Sequence, residues 1–318
     1  MPPKRSFDAE LATLETLRDA TPEAAEAGLV KALTNRNNFI VAKAATLAQN
    51  HHLASLTPAL AEAFHRFLDS KSDPQCWAKI AIAKALAAFE YQSPEIFLTG
   101  MRHVQLEPVW GGVEDTAGPL RGTCALALVQ CRTLNNHTLL THLTPLFADK
   151  ELSVRVNAAR AVEQVGTDSA SLLLRFHAEL ISLVPSLRAH LGSETPELFG
   201  ACYSGVLSLD GPAALPWAAQ FLLPEDDASA EAAMAIAQTQ TPECFPILKA
   251  AAQRARDPWF RQCVLSAIAL SRQQEGTAYL LHLIAEDTHA AEAQEALCRS
   301  APSAETRARL GELGRPCS

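Results

Sequence analysis

Glycine and aromatic residues are both scarce in this chain, with 14 glycines in 318 residues and aromatics at only 6%. So few aromatic strand formers argue against a β-rich protein, while abundant Ala and Leu favour helices by intrinsic propensity. No stretch approaches the roughly 18 uninterrupted apolar residues of a membrane span. The start, Met1-Pro2-Pro3-Lys4-Arg5-Ser6-Phe7-Asp8, runs into acidic helical sequence, so no secretory signal is expected and a soluble cytoplasmic protein is the default. The eight cysteines (Cys76, Cys124, Cys131, Cys202, Cys244, Cys263, Cys298 and Cys317) contain no C-x-x-C pair, and several occupy apolar helical positions, which reads as scattered reduced core thiols. Basic residues are outnumbered 27 to 35, and the formal charge of −8 repels nucleic-acid phosphates on average. There is no G-x-S-x-G, phosphate loop or dinucleotide fingerprint, and Gly200, Gly205 and Gly211 are separated by helical sequence. No cofactor or metal is expected.

What the chain does contain is a repeat. The nonapeptide Val154–Val162 carries apolar or small residues at its first, fifth, sixth, eighth and ninth positions, and it returns throughout the sequence. Its copies are Ile40–Ala48, Ala78–Leu86, Leu120–Leu128, Val154–Val162, Leu198–Val206, Ala228–Ile236, Phe260–Ile268 and His289–Leu297, starting 29 to 44 residues apart. That spacing fits two helices and two turns. Positions one, five, eight and nine fall on one side of a helix, and paired small residues such as Ala158, Ala159 and Ala161 let a neighbouring helix approach.

Another apolar helical run precedes each nonapeptide: Ala24–Leu33, Pro58–Leu68, Pro94–Val104, Thr138–Phe147, Ser171–Leu191, Ala213–Leu222, Pro242–Ala252 and Gly276–Ile284. Thr21-Pro22, Thr57-Pro58, Ser93-Pro94 and Thr241-Pro242 are start signals, a hydroxyl N-cap followed by proline. Gly166 and Gly192 are candidate helix stops, and Pro185 should kink or divide the run from Ser171 to Leu191. The expected organisation is a capping helix in residues 1–20, an array of about eight helical hairpins over 21–300 interrupted at 105–119, and a C-terminal capping helix and tail over 301–318.

Asp149 and Arg155, Asp115 and Arg121, and Asp73 and Lys79 each pair an aspartate in the interhelix turn with a cation six positions later. On these residues the chain resembles HEAT-repeat proteins, particularly the short bacterial HEAT-like repeats of the phycobilisome-lyase type. The first unit departs from the pattern with Asn35 and Val41, the fifth, sixth and eighth lack the pair, and the seventh keeps only Arg261. The resemblance implies an all-α fold, an α-α superhelix of the HEAT-like and armadillo type, and no specific activity. HEAT-repeat metalloenzymes that resemble deoxyhypusine hydroxylase use repeated adjacent His-Glu pairs, and this sequence has no His-Glu dipeptide.

Two kinds of residue are candidates for function. The segment Gln105–Pro119 breaks the array with Pro108, Gly111, Gly112, Gly118 and Pro119, yet Val109 and Trp110 make it too apolar for a solvated linker. An ordered loop is expected there, with Trp110 as a partner-contacting anchor flanked by Glu107, Glu114 and Asp115, or else folded back over a neighbouring hairpin. Along the array, Lys79, Arg121 and Arg155 could form a row open to a partner, with Trp77 and Phe199 facing the same surface. The alternative makes Asp73, Asp115 and Asp149 a structural ladder, accepting from backbone amides and meeting the cations of their own or adjacent units.

The functional expectation is a non-catalytic protein–protein interaction scaffold that binds another protein or peptide along the concave face of the solenoid. Two other readings stand beside it. One is a lyase or chaperone-like protein acting on a chromophore or modified protein, which would need a reactive Cys or acid at a pocket. The other is a nucleic-acid-binding array similar to the HEAT-like alkylpurine DNA glycosylases, which depend on a basic concave surface that this acidic chain lacks.

Overall fold

Each of the eight nonapeptides lies in a helix, His289 serving as the N-cap of the last. The computed structural model describes residues 7–68, 72–183 and 196–317, and the chain divides into two compact units, Met1–Val165 and Gly166–Ser318. Within both, the architecture is an all-α array of helical hairpins.

In the first unit α1 (Phe7–Arg18) precedes four hairpins: α2 (Pro22–Leu33) with α3 (Asn38–Asn50), α4 (Thr57–Arg66) with α5 (Trp77–Ala88), α6 (Pro94–Met101) with α7 (Gly118–Leu128), and α8 (Asn136–Leu143) with α9 (Leu152–Val165). The second helices stack in order, α3 on α5 on α7 on α9. The periodicity explains why. Ile40, Ala44, Leu47 and Ala48 of α3 are buried, as are Ala78, Ile82, Ala85 and Leu86 of α5 and Val154, Ala158, Ala161 and Val162 of α9. The small residues bring backbones close: a Cβ placed on Gly100 of α6 would lie 2.3 Å from Cys124 Sγ of α7.

The second unit begins with α10 (Asp168–Leu183). The second helices Pro196–Asp210, Asp227–Gln238, Pro258–Leu270 and Ala290–Arg299 again stack in sequence, and Ala304–Glu312 ends the array. Its core includes an aromatic cluster in which Tyr203 meets Phe199, Trp217 and Phe221, with the Arg175 guanidinium over the Trp217 ring. Pro185 and Gly192 lie outside the described residues.

Four details refine or correct the sequence expectations. First, the ordered loop expected at 105–119 takes the specific form of a β-hairpin. Its strands β1 (Leu106–Val109) and β2 (Gly112–Asp115) pair antiparallel in the register Leu106↔Asp115 to Val109↔Gly112. Gly111 takes φ +96 in the turn, where a side chain would be strained. Second, Cys298 and Cys317 form a disulfide, which corrects the reading of all eight cysteines as reduced. The tail brings Cys317 back: Arg315 N–H donates to Leu310 O, and Gln294 Nε2 donates to the Arg315 and Pro316 carbonyls. Third, Thr21 and Ser93 both occupy N-caps followed by proline as expected, but only the Thr21 side chain makes a capping bond, accepting from Ala24 N–H. Thr57 is already helical, Ser93 bonds Glu95 instead, and the helix after Thr241 starts at Cys244. Fourth, glycine scarcity does not prevent left-handed helix stops. Gly166 is one, at φ +71, but His52 (φ 55), Glu90 (φ 51) and Asp287 (φ 53) fill the same role in Schellman-type closures. In these, Leu53, Tyr91 and Thr288 donate to Ala48, Leu86 and Leu283 carbonyls.

Candidate docking surface

The aspartates and cations of the repeat form one continuous buried network in the first unit. Asp73 begins it: its Oδ1 accepts from Ala78 N–H at 2.9 Å and from Asn38 Nδ2 at 3.0 Å, and its Oδ2 from Lys79 N–H at 3.0 Å. Lys79 Nζ lies 3.1 Å from Asp73 Oδ2 and donates to Phe67 O at 2.8 Å and Gln105 Oε1 at 3.0 Å. Asp73 and Lys79 are wholly buried, which is tolerable only because charge and hydrogen-bonding capacity are both matched.

Gln105 carries the network into the hairpin. Its Nε2 donates to Asp73 O and to Glu107, its N–H to Asp115 Oδ1, and its O accepts from Thr116 N–H. On the far side, Arg121 holds Asp149 with two parallel bonds of 2.7 and 2.9 Å, while its Nη1 reaches Asp115 Oδ2 at 2.7 Å and His103 O at 3.0 Å. Arg155 Nη1 donates to the Asp149 and Lys150 carbonyls. The bidentate geometry on Asp149 favours Arg over Lys at position 121.

These contacts perturb the acids. Burial pushes Asp115 up, but the Gln105 and Ala117 amides and the Arg121 guanidinium outweigh it, leaving the carboxyl below its ordinary value. Glu107 behaves alike: burial raises it, and bonds from Gln105, Gln75 N–H and Thr116 with the charge of Lys79 bring it below the usual carboxylate range. Burial lowers Arg121, and its bonds to Asp149 and Asp115 more than restore it.

The network decides which sequence candidates can meet a partner. Lys79, Arg121 and Arg155 are buried, and so is Phe199, so none of the four presents a surface; the pairs take the structural-ladder arrangement and not the open row. Glu107 turns inward, accepting from Gln75 N–H at 2.7 Å, and anchors the hairpin. Glu114 is exposed. Trp110, at 104% relative exposure, covers no neighbouring hairpin and stands free at the tip, with Val104, Leu106, Val109 and Val113 also exposed below it.

Trp77 is 47% exposed and belongs to a row that the sequence reading overlooked. Phe7, Phe39 and Trp77, at or beside the first positions of α1, α3 and α5, meet at ring-centroid distances of 5.9 and 6.0 Å. The hairpin is anchored at its end through Gln75, two residues before Trp77. A signal existed: Phe39, Trp77 and Trp259 each sit immediately before a nonapeptide, and all three are partly exposed. Gln105 had no such signal, being one polar residue in an irregular stretch. The surface thus combines rigid aromatic area, which binds at low entropic cost, with an anchored apolar hairpin.

Burial raises the thiols of Cys76 and Cys131 to about 11 and raises those of Cys124, Cys244 and Cys263 as well, the opposite of an activated nucleophile. Two clefts of about 1100 and 580 Å³ open in the second unit, and neither is lined by a candidate binding residue. Among the described residues no group of three or more His, Cys, Asp or Glu could hold a metal ion, and no helix is long and apolar enough to cross a membrane.

Comparison with known proteins places HEAT repeats at residues 215–300. No curated protein matches the chain in sequence. Among solved structures, human deoxyhypusine hydroxylase in complex with glycerol is similar over 84% of this chain and 91% of that chain, at 19% identity and a TM-score of 0.31. A superposition that loose carries no argument about activity. The HEAT-repeat match at residues 215–300 and the fold together support HEAT-like repeats in an all-α helical-repeat array.

Proposed function

We propose that this protein is a non-catalytic interaction scaffold whose first unit docks a protein partner on the Phe7–Phe39–Trp77 row and the hairpin tipped by Trp110. The observation that carries the reading is Trp110 itself. A wholly exposed Trp on a hairpin fixed by buried polar bonds is costly for solubility and useful for recognition, since a rigid aromatic anchor loses little entropy on binding. Its support is polar and internal, so the tip can be changed without disturbing the stack.

The test is capture by the immobilised full-length protein, with Trp110→Ala and a Phe39→Ala/Trp77→Ala pair run alongside. A stoichiometric protein retained by the natural chain should be lost or weakened by about 30-fold or more with Trp110→Ala, the scale of an interface hot spot. Equal retention by all three proteins would remove both the row and the tip from the binding surface.

A further inference from the structure

The two edges of the hairpin differ in chemistry. With a two-residue turn at Trp110-Gly111, Val109/Gly112 and Glu107/Glu114 are the hydrogen-bonded pairs, a parity continued by Thr116 N–H on Gln105 O at 2.9 Å. Alternation then turns the backbone groups of Leu106 and Pro108 on β1, and of Val113 and Asp115 on β2, outward. Pro108 has no N–H to offer, so the β1 edge is blunted. Val113 keeps both donor and acceptor, and among the described residues no hydrogen bond reaches its backbone from outside the hairpin.

We infer that the β2 edge is occupied by a second copy of this chain, the two β2 strands pairing antiparallel about a two-fold axis at Val113 to make a four-stranded sheet. The inference rests on the hairpin being a binding element, as proposed above, and names its occupant. Three features favour a second copy. Antiparallel pairing of one edge with itself is self-complementary and closes at two chains, so it hides the edge without open growth. The register suits the charges: with Val113 opposite Val113, Glu114 faces Gly112 and Asp115 faces Gly111, so no carboxylates stand opposed, whereas a Glu114-centred register would set like charges together. Exposed apolar surface also lies along that edge and at its tip: Val113 is 66% exposed and Trp110 wholly so, and a Trp side chain can bury about 250 Å² against a partner.

The experiment is sedimentation of the full-length protein over a range of concentrations, beside three variants. The natural chain should show a concentration-dependent dimer. Val113→Pro, which removes the edge N–H, should weaken dimerisation by about tenfold or more with circular dichroism unchanged and with the same melting midpoint at concentrations where both proteins are monomeric. Under mild oxidation Val113→Cys should give a cross-linked dimer above the wild-type background, and Glu114→Cys roughly tenfold less, because only Val113 meets its own symmetry mate. A chain monomeric at every concentration, or a dimer indifferent to Val113→Pro, overturns the inference. If such a monomer still captures a protein through Trp110, the occupant is foreign and the proposed function stands; a dimer that captures nothing else has the converse meaning.

Discussion

Lys79→Met is the sharpest perturbation of the buried network. Lys79 Nζ has three partners, Phe67 O, Gln105 Oε1 and Asp73 Oδ2, and neither member of the ion pair touches solvent. Methionine keeps most of the volume, so the cavity contribution is small. The substitution leaves Asp73 charged in the interior, still bonded to the Ala78 and Lys79 amides and Asn38, and strips a donor from Phe67 O and Gln105 Oε1. Removing one partner of a buried pair costs about 3–5 kcal/mol; the amides that remain on Asp73 place the expected loss near the lower figure. Adding Asp73→Asn removes the stranded charge, so the double variant should lose at least about 1 kcal/mol less than the two single losses combined. Urea unfolding followed by Trp fluorescence and circular dichroism, with the m-value checked for added steps, measures all three variants. A Lys79→Met loss under about 0.5 kcal/mol, or purely additive singles, would refute the claim that the pair is a coupled buried unit.

Trp110→Ala should change stability by less than about 0.5 kcal/mol, because the side chain touches nothing that folding buries; a large drop in unfolding midpoint would show it to be core. Gly100→Ala should cost about 1–3 kcal/mol through its clash with Cys124 Sγ, and Cys124→Ala in the same chain should recover part of that loss in the same urea assay. Asp115 is depressed in the folded state below its ordinary value of 3.8, so its contribution is present above that value and lost as pH falls below it, where the unfolded chain takes up the proton first. Asp115→Asn should therefore flatten the acid limb of stability against pH, and an unchanged slope would refute the assignment. Cys317→Ser, which opens a loop between residues 19 apart, should lower the stability of the second unit by about 3 kcal/mol under oxidising conditions and by nothing under reductant, read by paired melts.

The nonapeptide was legible because its physics is local. Ile40, Ala44, Leu47 and Ala48 must share one helix face whatever surrounds them, and a helix with that face must bury it against another. Asp149 with Arg155 was likewise visible as a spacing, but which groups each would bond was not. Arg121 reaches Asp149 of the next hairpin while Arg155 bonds backbone carbonyls, and that choice depends on how far α7 sits from α9. The hairpin shows the same limit: Pro108, Gly111 and Gly112 announced a break, but pairing depends on two short strands meeting.

The sequence by itself determined the element type, the repeat period and the buried face, since those follow from the 3.6-residue geometry of one helix at a time. Only the tertiary structure decided exposure. It turned Lys79, Arg121, Arg155 and Phe199 inward, left Trp110 free, drew Phe7, Phe39 and Trp77 into one row, and brought Cys317 to Cys298. Each of those outcomes depends on residues distant in the chain arriving at one place, and no local pattern encodes where the neighbouring hairpin stands.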